Sequence, residues 1–211
     1  MTRLLVATRS RHKLAEIRRI LEDVPDLELL GLEDADIPPS DEEIGLEPYH
    51  TFWENARSKA AYFRRRSGLP TVADDSGIEV DALGGAPGVR SKRFAPVEEG
   101  VVGEARDRAN NAHLVELLAD LPPEERTARY VCVAALDEGE GGVHIFRGEA
   151  PGRIVDEPRG SGGFGYDPHF FDPDLGKTFA EIDGDEKNAR SHRGKAFRAL
   201  GRFLEERAAG S

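Results

Sequence analysis

Residues 3–21 read Arg-Leu-Leu-Val-Ala-Thr-Arg-Ser-Arg-His-Lys-Leu-Ala-Glu-Ile-Arg-Arg-Ile-Leu. The apolar run over residues 3–8 predicts a short buried strand, and apolar side chains at helical spacing predict a helix over residues 13–21. Residues 27–31 can return as a second strand. A strand, a helix and a strand in this order are typical of an α/β fold.

The remainder of the chain extends this pattern. Residues 33–50 are acidic and contain three prolines, which predicts a loop, and Thr51 with Glu54 forms a capping box that opens a helix. Residues 75–77, Asp-Ser-Gly, predict a turn that ends the preceding strand. The further predicted elements are a helix over 51–66, a strand over 71–75, a helix over 107–121, strands over 129–136, 143–150 and 169–171, and helical segments over 185–208. Strands and helices alternate early and hairpins come late, so we expect an α/β fold with a mixed sheet.

The composition excludes several classes of protein. The 211 residues carry a formal net charge of −11, whereas a general nucleic-acid binder needs a broad basic face. No apolar run approaches the roughly 18 residues of a membrane span, and the N-terminal apolar run is too short for a signal peptide. The single cysteine, Cys132, lies in a strand-like run, so we expect a buried thiol and a reducing, cytoplasmic location. We therefore expect no nucleic-acid partner and no membrane partner.

The most informative functional motif is residues 160–167, Gly-Ser-Gly-Gly-Phe-Gly-Tyr-Asp. Its glycines allow positive φ and a close approach of the backbone to a ligand. Phe164 and Tyr166 stand among them, so the loop suits a ligand with a flat ring and a phosphate tail, which is the outline of a nucleotide. A flexible surface loop is the alternative.

A second motif follows the first strand, at residues 8–13, Thr-Arg-Ser-Arg-His-Lys. A strand–turn–helix junction aims backbone N–H groups and the positive end of the helix dipole at one point. Arg9, Arg11 and Lys13 add cations there, which predicts a phosphate site, although the Gly-Lys-Ser/Thr ending of a Walker A loop is absent. A solvated basic turn is the alternative.

A third motif is the acidic pair Asp74-Asp75, at the predicted carboxyl end of a strand, where open α/β sheets bind ligands. Adjacent strand residues point to opposite faces, so we expect one carboxylate to hold the turn and the other to face the ligand. Carboxylates at such a place suit Mg²⁺, which prefers oxygen ligands and keeps several waters beside substrate phosphates. An Asp that only accepts N–H groups of a turn is the alternative.

The last motif is the charged stretch over residues 181–193. In a helix that starts at Asp185, Lys187, Arg190 and Arg193 fall near one face. Gly194 follows His192-Arg193 and predicts a break that exposes both side chains. A solvated helix face with a structural histidine is the alternative.

Taken together and in order, these motifs resemble the inosine/xanthosine triphosphate pyrophosphatase family. The matching segments are residues 7–13, 51–60, 73–77, 83–88, 162–168, 176–178 and 186–194. The resemblance spans almost the whole chain. Two departures stand out: Arg9 and Ser10 replace a Gly or Ser followed by Asn, and residues 46–50 lengthen the stretch before Thr51.

The resemblance implies Mg²⁺-dependent hydrolysis of non-standard purine triphosphates (ITP, dITP and XTP) to the monophosphate and pyrophosphate. It also implies two lobes around a long mixed β-sheet with flanking helices and a central nucleotide cleft, and a homodimer. We expect one such domain over residues 1–208, followed by a short tail over residues 209–211.

By the same resemblance, Asp75 matches the general base and a metal ligand, and Glu43 matches a second metal ligand. The implied substrate contacts are Thr8, Arg9, Ser10, Arg11, His12, Lys13, Ser76, Phe164, Gly165, Tyr166, Asp167, Lys187, His192 and Arg193. Phe164 is expected to stack on the base, and donors that include Arg193 are expected to select the purine 6-carbonyl over an amino group. Two alternatives stay open: a pyrophosphatase acting on pyrimidine triphosphates, and a nucleotide sensor without turnover.

Overall fold

The computed structural model describes residues 2–98 and 100–210. The strands are β1 (Thr2–Val6), β2 (Leu27–Leu30), β3 (Thr71–Val80), β4 (Thr127–Asp137), β5 (Val143–Ile154), β6 (Phe170–Asp172) and β7 (Lys177–Thr178). They form one seven-stranded sheet in the order β2-β1-β3-β4-β5-β6-β7. β1 is parallel to β2 and to β3, whereas β6 is antiparallel to both of its neighbours. The predicted α/β fold with a mixed sheet is confirmed.

Five α-helices accompany the sheet in the described part of the chain. They are α1 (Arg11–Ile20), α2 (Phe52–Ser67), α3 (Gly103–Leu117), α4 (Gly184–Arg190) and α5 (His192–Ala209). α2 begins where predicted, because the Thr51 side chain accepts the Glu54 N–H, and it ends at Gly68, whose φ of 71° is the left-handed C-cap conformation. None of the helices in residues 2–98 and 100–210 is long and apolar enough to cross a membrane.

The chain divides into two compact units. The first comprises residues 1–75, 132–148 and 192–211, and the second comprises residues 76–131 and 149–191. The core of the first unit brings together Leu4, Val6, Ile17, Leu21, Val72, Cys132, Ala134, Leu136, Phe197 and Leu200. The core of the second unit brings together Ile78, Val80, Leu114, Leu118, Tyr130, Ile154, Phe170 and Phe179. The predicted burial of Cys132 is confirmed, and burial raises the pKa of its thiol.

Three sequence-based predictions of local structure are wrong. The strand with the acidic pair does not end at Asp75, since β3 extends to Val80. Ile78 and Val80 in this extension are buried in the core. The helix predicted over residues 107–121 is displaced towards the N-terminus, since α3 begins at Gly103 and ends at Leu117. The break near the C-terminus falls at Ser191 and not at Gly194, which lies inside α5.

α5 continues to Ala209, one residue beyond the predicted domain boundary at 208. Ser211, at the end of the predicted tail, lies outside the described residues.

Candidate active site

The acidic pair lies in the part of β3 that continues past the end of β1. β1 pairs with β3 through Leu5–Thr71 and Val6–Val72 and then ends. Asp74 and Asp75 follow, and successive residues of a strand face opposite sides of the sheet. The side chain of Asp74 meets α1 and α5, whereas that of Asp75 meets α2. The two carboxylates therefore have different partners, but the predicted role of one of them in holding a turn is wrong, because β3 continues through Gly77 to Val80.

Asp74 is a buried anion surrounded by cations. Its Oδ2 accepts from Lys13 Nζ at 2.9 Å and lies 3.6 Å from Arg193 Nε, while Lys59 Nζ donates to its backbone oxygen at 2.6 Å. Burial alone would raise the pKa of Asp74, but the charges of Lys13, Arg193 and Lys59 outweigh burial and hold this pKa well below its usual range. Asp74 is therefore ionised at every physiological pH and anchors the three cations.

The second carboxylate oxygen of Asp74 differs from Oδ2 in its surroundings. Within residues 2–98 and 100–210, Asp74 Oδ1 is buried and has no hydrogen-bond partner. Buried polar atoms are almost always satisfied, so an orphaned carboxylate oxygen marks a place for a water molecule or an ion. The orphan is the first indication that this cluster accepts something from outside the chain.

The carboxylate of Asp75 accepts a hydrogen bond from a neutral side chain. Asn55 Nδ2 donates to Asp75 Oδ2 at 2.9 Å, and the same amide group binds the backbone of Tyr49 through both N–H and C=O. The pKa of Asp75 is raised to about 6, mainly by burial. The charge of Lys59 lowers this pKa, and the negative charge of Glu47 raises it further. A carboxylate of this basicity is ionised at neutral pH and is a better proton acceptor than an exposed aspartate.

Glu47 is the glutamate that joins the acidic pair. Its Oε1 accepts from Lys59 Nζ at 2.5 Å. Burial raises the pKa of Glu47, but the charge and hydrogen bond of Lys59, together with the charge of Lys13, outweigh burial, and the net pKa is lowered. The pKa of Lys59 changes in the opposite direction. Burial lowers this pKa, but the charges of Glu47 and Asp74 raise it by more, so that the net pKa is raised. Glu47, Lys59 and the acidic pair therefore form one cluster of interacting charges.

Glu43, the glutamate to which the resemblance assigned the metal, is placed elsewhere. Its carboxylate receives Arg9 Nε at 3.0 Å and Arg9 Nη2 at 2.6 Å. The additional residues 46–50 explain the difference, since they carry a second glutamate closer to α2. The structure thus groups Glu47, and not Glu43, with Asp75.

The donor set of this cluster fits Mg²⁺. The described residues contain no group of three or more His, Cys, Asp or Glu side chains arranged to hold a metal ion by themselves. Mg²⁺ needs only one or two carboxylates, because waters and substrate phosphates complete its shell. Asp75, destabilised as an anion by burial, and Glu47 offer such oxygens.

The turn at residues 8–13 lies at the start of α1. Ser10 caps the helix by accepting the Lys13 N–H at 3.3 Å, and Thr8 Oγ1 accepts the Ser10 N–H at 3.2 Å. Arg11 and His12 are exposed. A cavity of about 100 Å³ opens here, lined by Thr8, Arg9, Ser10, Arg11, Leu14, Arg18, Gly31, Leu32, Glu33 and Asp34. The predicted phosphate turn is therefore a capped helix N-terminus beside a small cavity.

In the second unit, the glycine-rich loop is held by hydrogen bonds and close packing. Gly160, Gly163 and Gly165 have positive φ, and a Cβ on Gly163 would lie 2.0 Å from Asp167 Oδ2. That oxygen accepts the Phe164 N–H at 2.9 Å and Lys187 Nζ at 2.6 Å. Asp167 Oδ1 accepts the hydroxyl of Tyr130 at 3.1 Å. Asp167 therefore organises the loop from inside through hydrogen bonds to three other residues.

The two aromatic residues of this loop have different surroundings. The ring of Phe164 is 38% exposed and lies 5.1 Å from Lys187 Nζ, a cation–π distance. Tyr166 is buried, and its hydroxyl donates to the backbone oxygen of Ser91 at 2.8 Å. Phe164 is thus the ring available for stacking, while Tyr166 belongs to the core.

Sequence reasoning missed two residues that hold this loop. The Gly165 N–H donates to Asp107 Oδ2 at 2.9 Å, and Asn111 Nδ2 donates to the Gly165 carbonyl oxygen at 2.8 Å. Both side chains come from α3 and are one turn apart. Their i, i+4 spacing on a helix with a buried face was the available signal.

Asn55 and Lys59 were missed as site residues in the first unit, although both belong to a motif that matched the family. Asn55 is 1% exposed on the face of α2 that carries apolar residues. A polar side chain at a core-facing helical position was the signal, because burial of an amide requires partners.

The remaining predicted substrate contacts fall in different places. Contrary to prediction, His192 and Arg193 are buried, because α5 starts at His192 and Gly148 packs so close to His192 that a Cβ there would lie 2.1 Å from the His192 carbonyl oxygen. Arg193 binds Glu16 at 2.5 Å as well as Asp74.

The predicted shared face of Lys187, Arg190 and Arg193 is wrong, since Ser191 interrupts the helix before Arg193. Lys187 binds Asp167, and Arg190 lies 3.6 Å from the carboxylates of Asp172 and Asp174. Ser76 lies in β3 as the first residue of the second unit.

Known proteins resemble this chain over nearly its whole length. A model of the Ham1 family matches residues 4–203. A dITP/XTP pyrophosphatase of Geobacter sulfurreducens is 50% identical over 201 residues, which are 95% of each chain. A solved HAM1 protein from Coxiella burnetii has a TM-score of 0.84 at 37% identity, covering 98% of this chain and 100% of its own. A solved nucleoside-triphosphatase / dITP/XTP pyrophosphatase from Mycobacterium abscessus has a TM-score of 0.73 at 42% identity, covering 94% of this chain and 98% of its own.

Proposed function

Because the chain belongs to the Ham1 family, we propose that it hydrolyses the triphosphates of non-standard purines (ITP, dITP and XTP) to the monophosphate and pyrophosphate with Mg²⁺ as cofactor. Its relatives include a dITP/XTP pyrophosphatase at 50% identity, and the chain is an enzyme of that hydrolase class. The observation that carries the chemistry is Asp75, a buried carboxylate whose pKa is raised to about 6 beside Asp74, Lys13 and Lys59.

Asp75 is the general base of this proposal. Its ionised form accepts a proton from the water that attacks the α-phosphorus. The bond between the α-phosphorus and the oxygen that bridges it to the β-phosphorus breaks, and pyrophosphate leaves. A positioned general base typically contributes about 10²–10⁴-fold to the rate. Asn55 keeps the carboxylate in place, since its Nδ2 is bound to Asp75 and its other contacts tie it to Tyr49.

Asp75 and Glu47 are the residues that would hold Mg²⁺. When bound, the ion would polarise the phosphate oxygens and lower the pKa of water. Lys13 lies at the helix N-terminus with its ammonium group against Asp74, where it offsets the charge that a polyphosphate brings. Glu43 is left out of the metal site because Arg9 engages both of its oxygens.

Selectivity is proposed to come from Phe164 and Lys187. The half-exposed ring of Phe164 offers a stacking face for a purine. The Lys187 ammonium group, 5.1 Å from the centre of that ring, has donors and no acceptor. It therefore favours the 6-carbonyl of hypoxanthine or xanthine and opposes the 6-amino group of adenine. Arg193 is not given this role, because its guanidinium group binds Asp74 and Glu16, whereas Lys187, which is also buried and binds Asp167, lies beside the ring of Phe164.

The test is product analysis with Mg²⁺ and each of dITP, XTP, dATP and dUTP. We expect pyrophosphate and monophosphate from dITP and XTP, with dATP turned over about 10⁴-fold more slowly, the scale of discrimination that unpaired buried polar groups can give. Orthophosphate as the first product would refute the pyrophosphatase reaction. Faster turnover of dUTP would favour the pyrimidine enzymes, and binding without turnover would favour the sensor.

A homodimer and a cytoplasmic location belong to the same proposal. Analytical ultracentrifugation of the purified protein and fractionation of cells that express it are the corresponding measurements. A monomer in solution would refute the predicted homodimer.

A further inference from the structure

Arg9 follows β1, and its guanidinium group is engaged by residues 37–43. Nε and Nη2 donate to the two oxygens of Glu43 at 3.0 and 2.6 Å. Nη1 donates to the carbonyl oxygen of Ile37 at 2.9 Å, and Nη2 donates to that of Pro38 at 3.0 Å. These hydrogen bonds take four of the five N–H donors that a guanidinium group possesses. An arginine held in this way has little capacity left for a phosphate.

Glu43 completes the contact from its own side. Its Oε1 also accepts the Ser40 N–H at 3.2 Å, within a capping box that opens the 3-10 helix Asp41–Gly45. The hydrogen bond from Arg9 is the main reason that the pKa of Glu43 is lowered. Two parallel hydrogen bonds between an arginine and a carboxylate fix geometry as well as charge. The hydrogen bonds between Arg9 and Glu43 therefore hold residues 40–45 against the turn after β1. We call this contact the Arg9–Glu43 lock.

The locked segment leads directly to Glu47. Only four residues take the chain from Glu43 to Glu47, so their Cα atoms can lie at most about 14 Å apart. On the far side, Asn55 holds Tyr49 by its backbone N–H at 2.9 Å and its carbonyl oxygen at 3.3 Å. The stretch that carries Glu47 is thus anchored before and after it, and Glu47 itself meets Lys59.

We propose that Arg9 is a positioning residue for the reaction: acting through Glu43, it fixes the segment that presents Glu47 beside Asp75. This role replaces the phosphate contact expected for Arg9 from the resemblance. It rests on the proposed Mg²⁺ dependence, since Glu47 is one of the two carboxylates assigned to the ion. Lysine cannot take this role, because an ammonium group lacks the planar fork that spans Glu43 and two carbonyl oxygens.

The test is a double-mutant cycle of Arg9→Met and Glu43→Gln, read by Mg²⁺ activation and by hydrogen exchange. We expect each single variant to raise the Mg²⁺ concentration for half-maximal activity about 10-fold, the lower end of the effect seen when a residue that orients a metal ligand is lost. The double variant should be no worse than either single variant. In protein free of metal and nucleotide, the amides of residues 43–49 should exchange faster in all three variants than in the wild type.

The exchange measurement separates this proposal from the proposed function. A wild-type enzyme that needs no Mg²⁺ would refute the metal site, while faster exchange in the variants would still support the lock. The matched control is the exposed pair Arg3–Glu28, 3.2 Å apart in the same unit. Arg3→Met and Glu28→Gln should change neither Mg²⁺ activation nor exchange at residues 43–49.

Three results would overturn the role of Arg9. The first is unchanged exchange over residues 43–49 in Glu43→Gln, which also decides the matter if Arg9→Met fails to fold. The second is a double variant in which the two single effects multiply. The third is an Arg9→Met enzyme whose KM for dITP rises at saturating Mg²⁺ while that of Glu43→Gln does not, since this pattern is that of a direct phosphate ligand.

Discussion

The two candidate clusters are built from different materials. In the first unit, the charged side chains of Lys13 and Arg193 converge on the carboxylate of Asp74, and the amide of Asn55 donates to that of Asp75. In the second unit, the loop of residues 163–167, which we propose to bind the base, is held by Asp167 and by Asp107 and Asn111 of α3. Acid–base chemistry requires charges fixed in a place of low dielectric, whereas recognition of a flat ring requires a rigid loop with one exposed aromatic side chain. We thus assign the catalytic chemistry to side chains on β3 and its neighbouring helices, and substrate selectivity to the hydrogen-bonded loop of residues 163–167.

The sharpest way to separate the two clusters is Asp75→Asn. The change removes the base and one metal-ligand charge while keeping the shape, so we expect kcat for dITP to fall by about 10²–10⁴-fold. In the wild type, kcat/KM should fall as the pH drops below about 6, where Asp75 becomes protonated. Initial rates of pyrophosphate release from pH 5 to pH 9 measure both effects. Wild-type turnover in Asp75→Asn would remove Asp75 from the mechanism.

The same variant has an opposite effect on stability. The pKa of Asp75 is raised from 3.8 to about 6 on folding, so its stabilising contribution is complete below about pH 4 and is lost as the pH rises through 6. Above that range the folded carboxylate costs about 3 kcal/mol relative to a neutral side chain. We therefore expect metal-free Asp75→Asn to gain stability over the wild type as the pH rises from 4 to 7.

Denaturant unfolding at several pH values, without metal, measures this difference. Added Mg²⁺ should stabilise the wild type and leave Asp75→Asn nearly unchanged, because the ion removes the cost of the buried charge only where the carboxylate is present. A stability difference independent of pH would contradict the assigned titration.

Phe164→Ala is the smallest and most selective change. Loss of a stacking ring costs about 1–1.5 kcal/mol, so we expect KM for dITP and XTP to rise about 10-fold with kcat nearly unchanged. The pH profile should stay that of the wild type, because Phe164 and Asp75 serve different steps. Steady-state kinetics at saturating Mg²⁺ provide the measurement. A loss of kcat that equals the effect of Asp75→Asn would show that the two clusters do not divide the work as proposed.

Much of this molecule could be predicted from local patterns. The α/β class, the capped start of α2 at Thr51 and the burial of Cys132 follow from spacing and residue type alone. The glycine-rich loop could be recognised as a place of positive φ, because only glycine adopts that conformation without strain. The order of the motifs was enough to indicate the family whose model matches residues 4–203.

Other features depended on contacts that no local pattern contains. Tyr166 is an aromatic residue in a glycine-rich loop and was expected at the ligand, yet a distant backbone oxygen at Ser91 draws it into the core. His192 and Arg193 precede a glycine and were expected to be exposed, yet Gly148 and Asp74 make them part of a buried helix start.

By itself, the amino-acid sequence determined which elements form, which motifs they carry and what class of chemistry those motifs suit, because each depends on residues close together in the chain. Only the tertiary structure decided that Glu47, and not Glu43, accompanies Asp75, and that Arg9 holds a loop. Partners such as Lys13 and Asp74 come from separate elements. The pKa of Asp75 depends on how deeply packing buries it and which charges surround it, and neither quantity exists before the chain has folded.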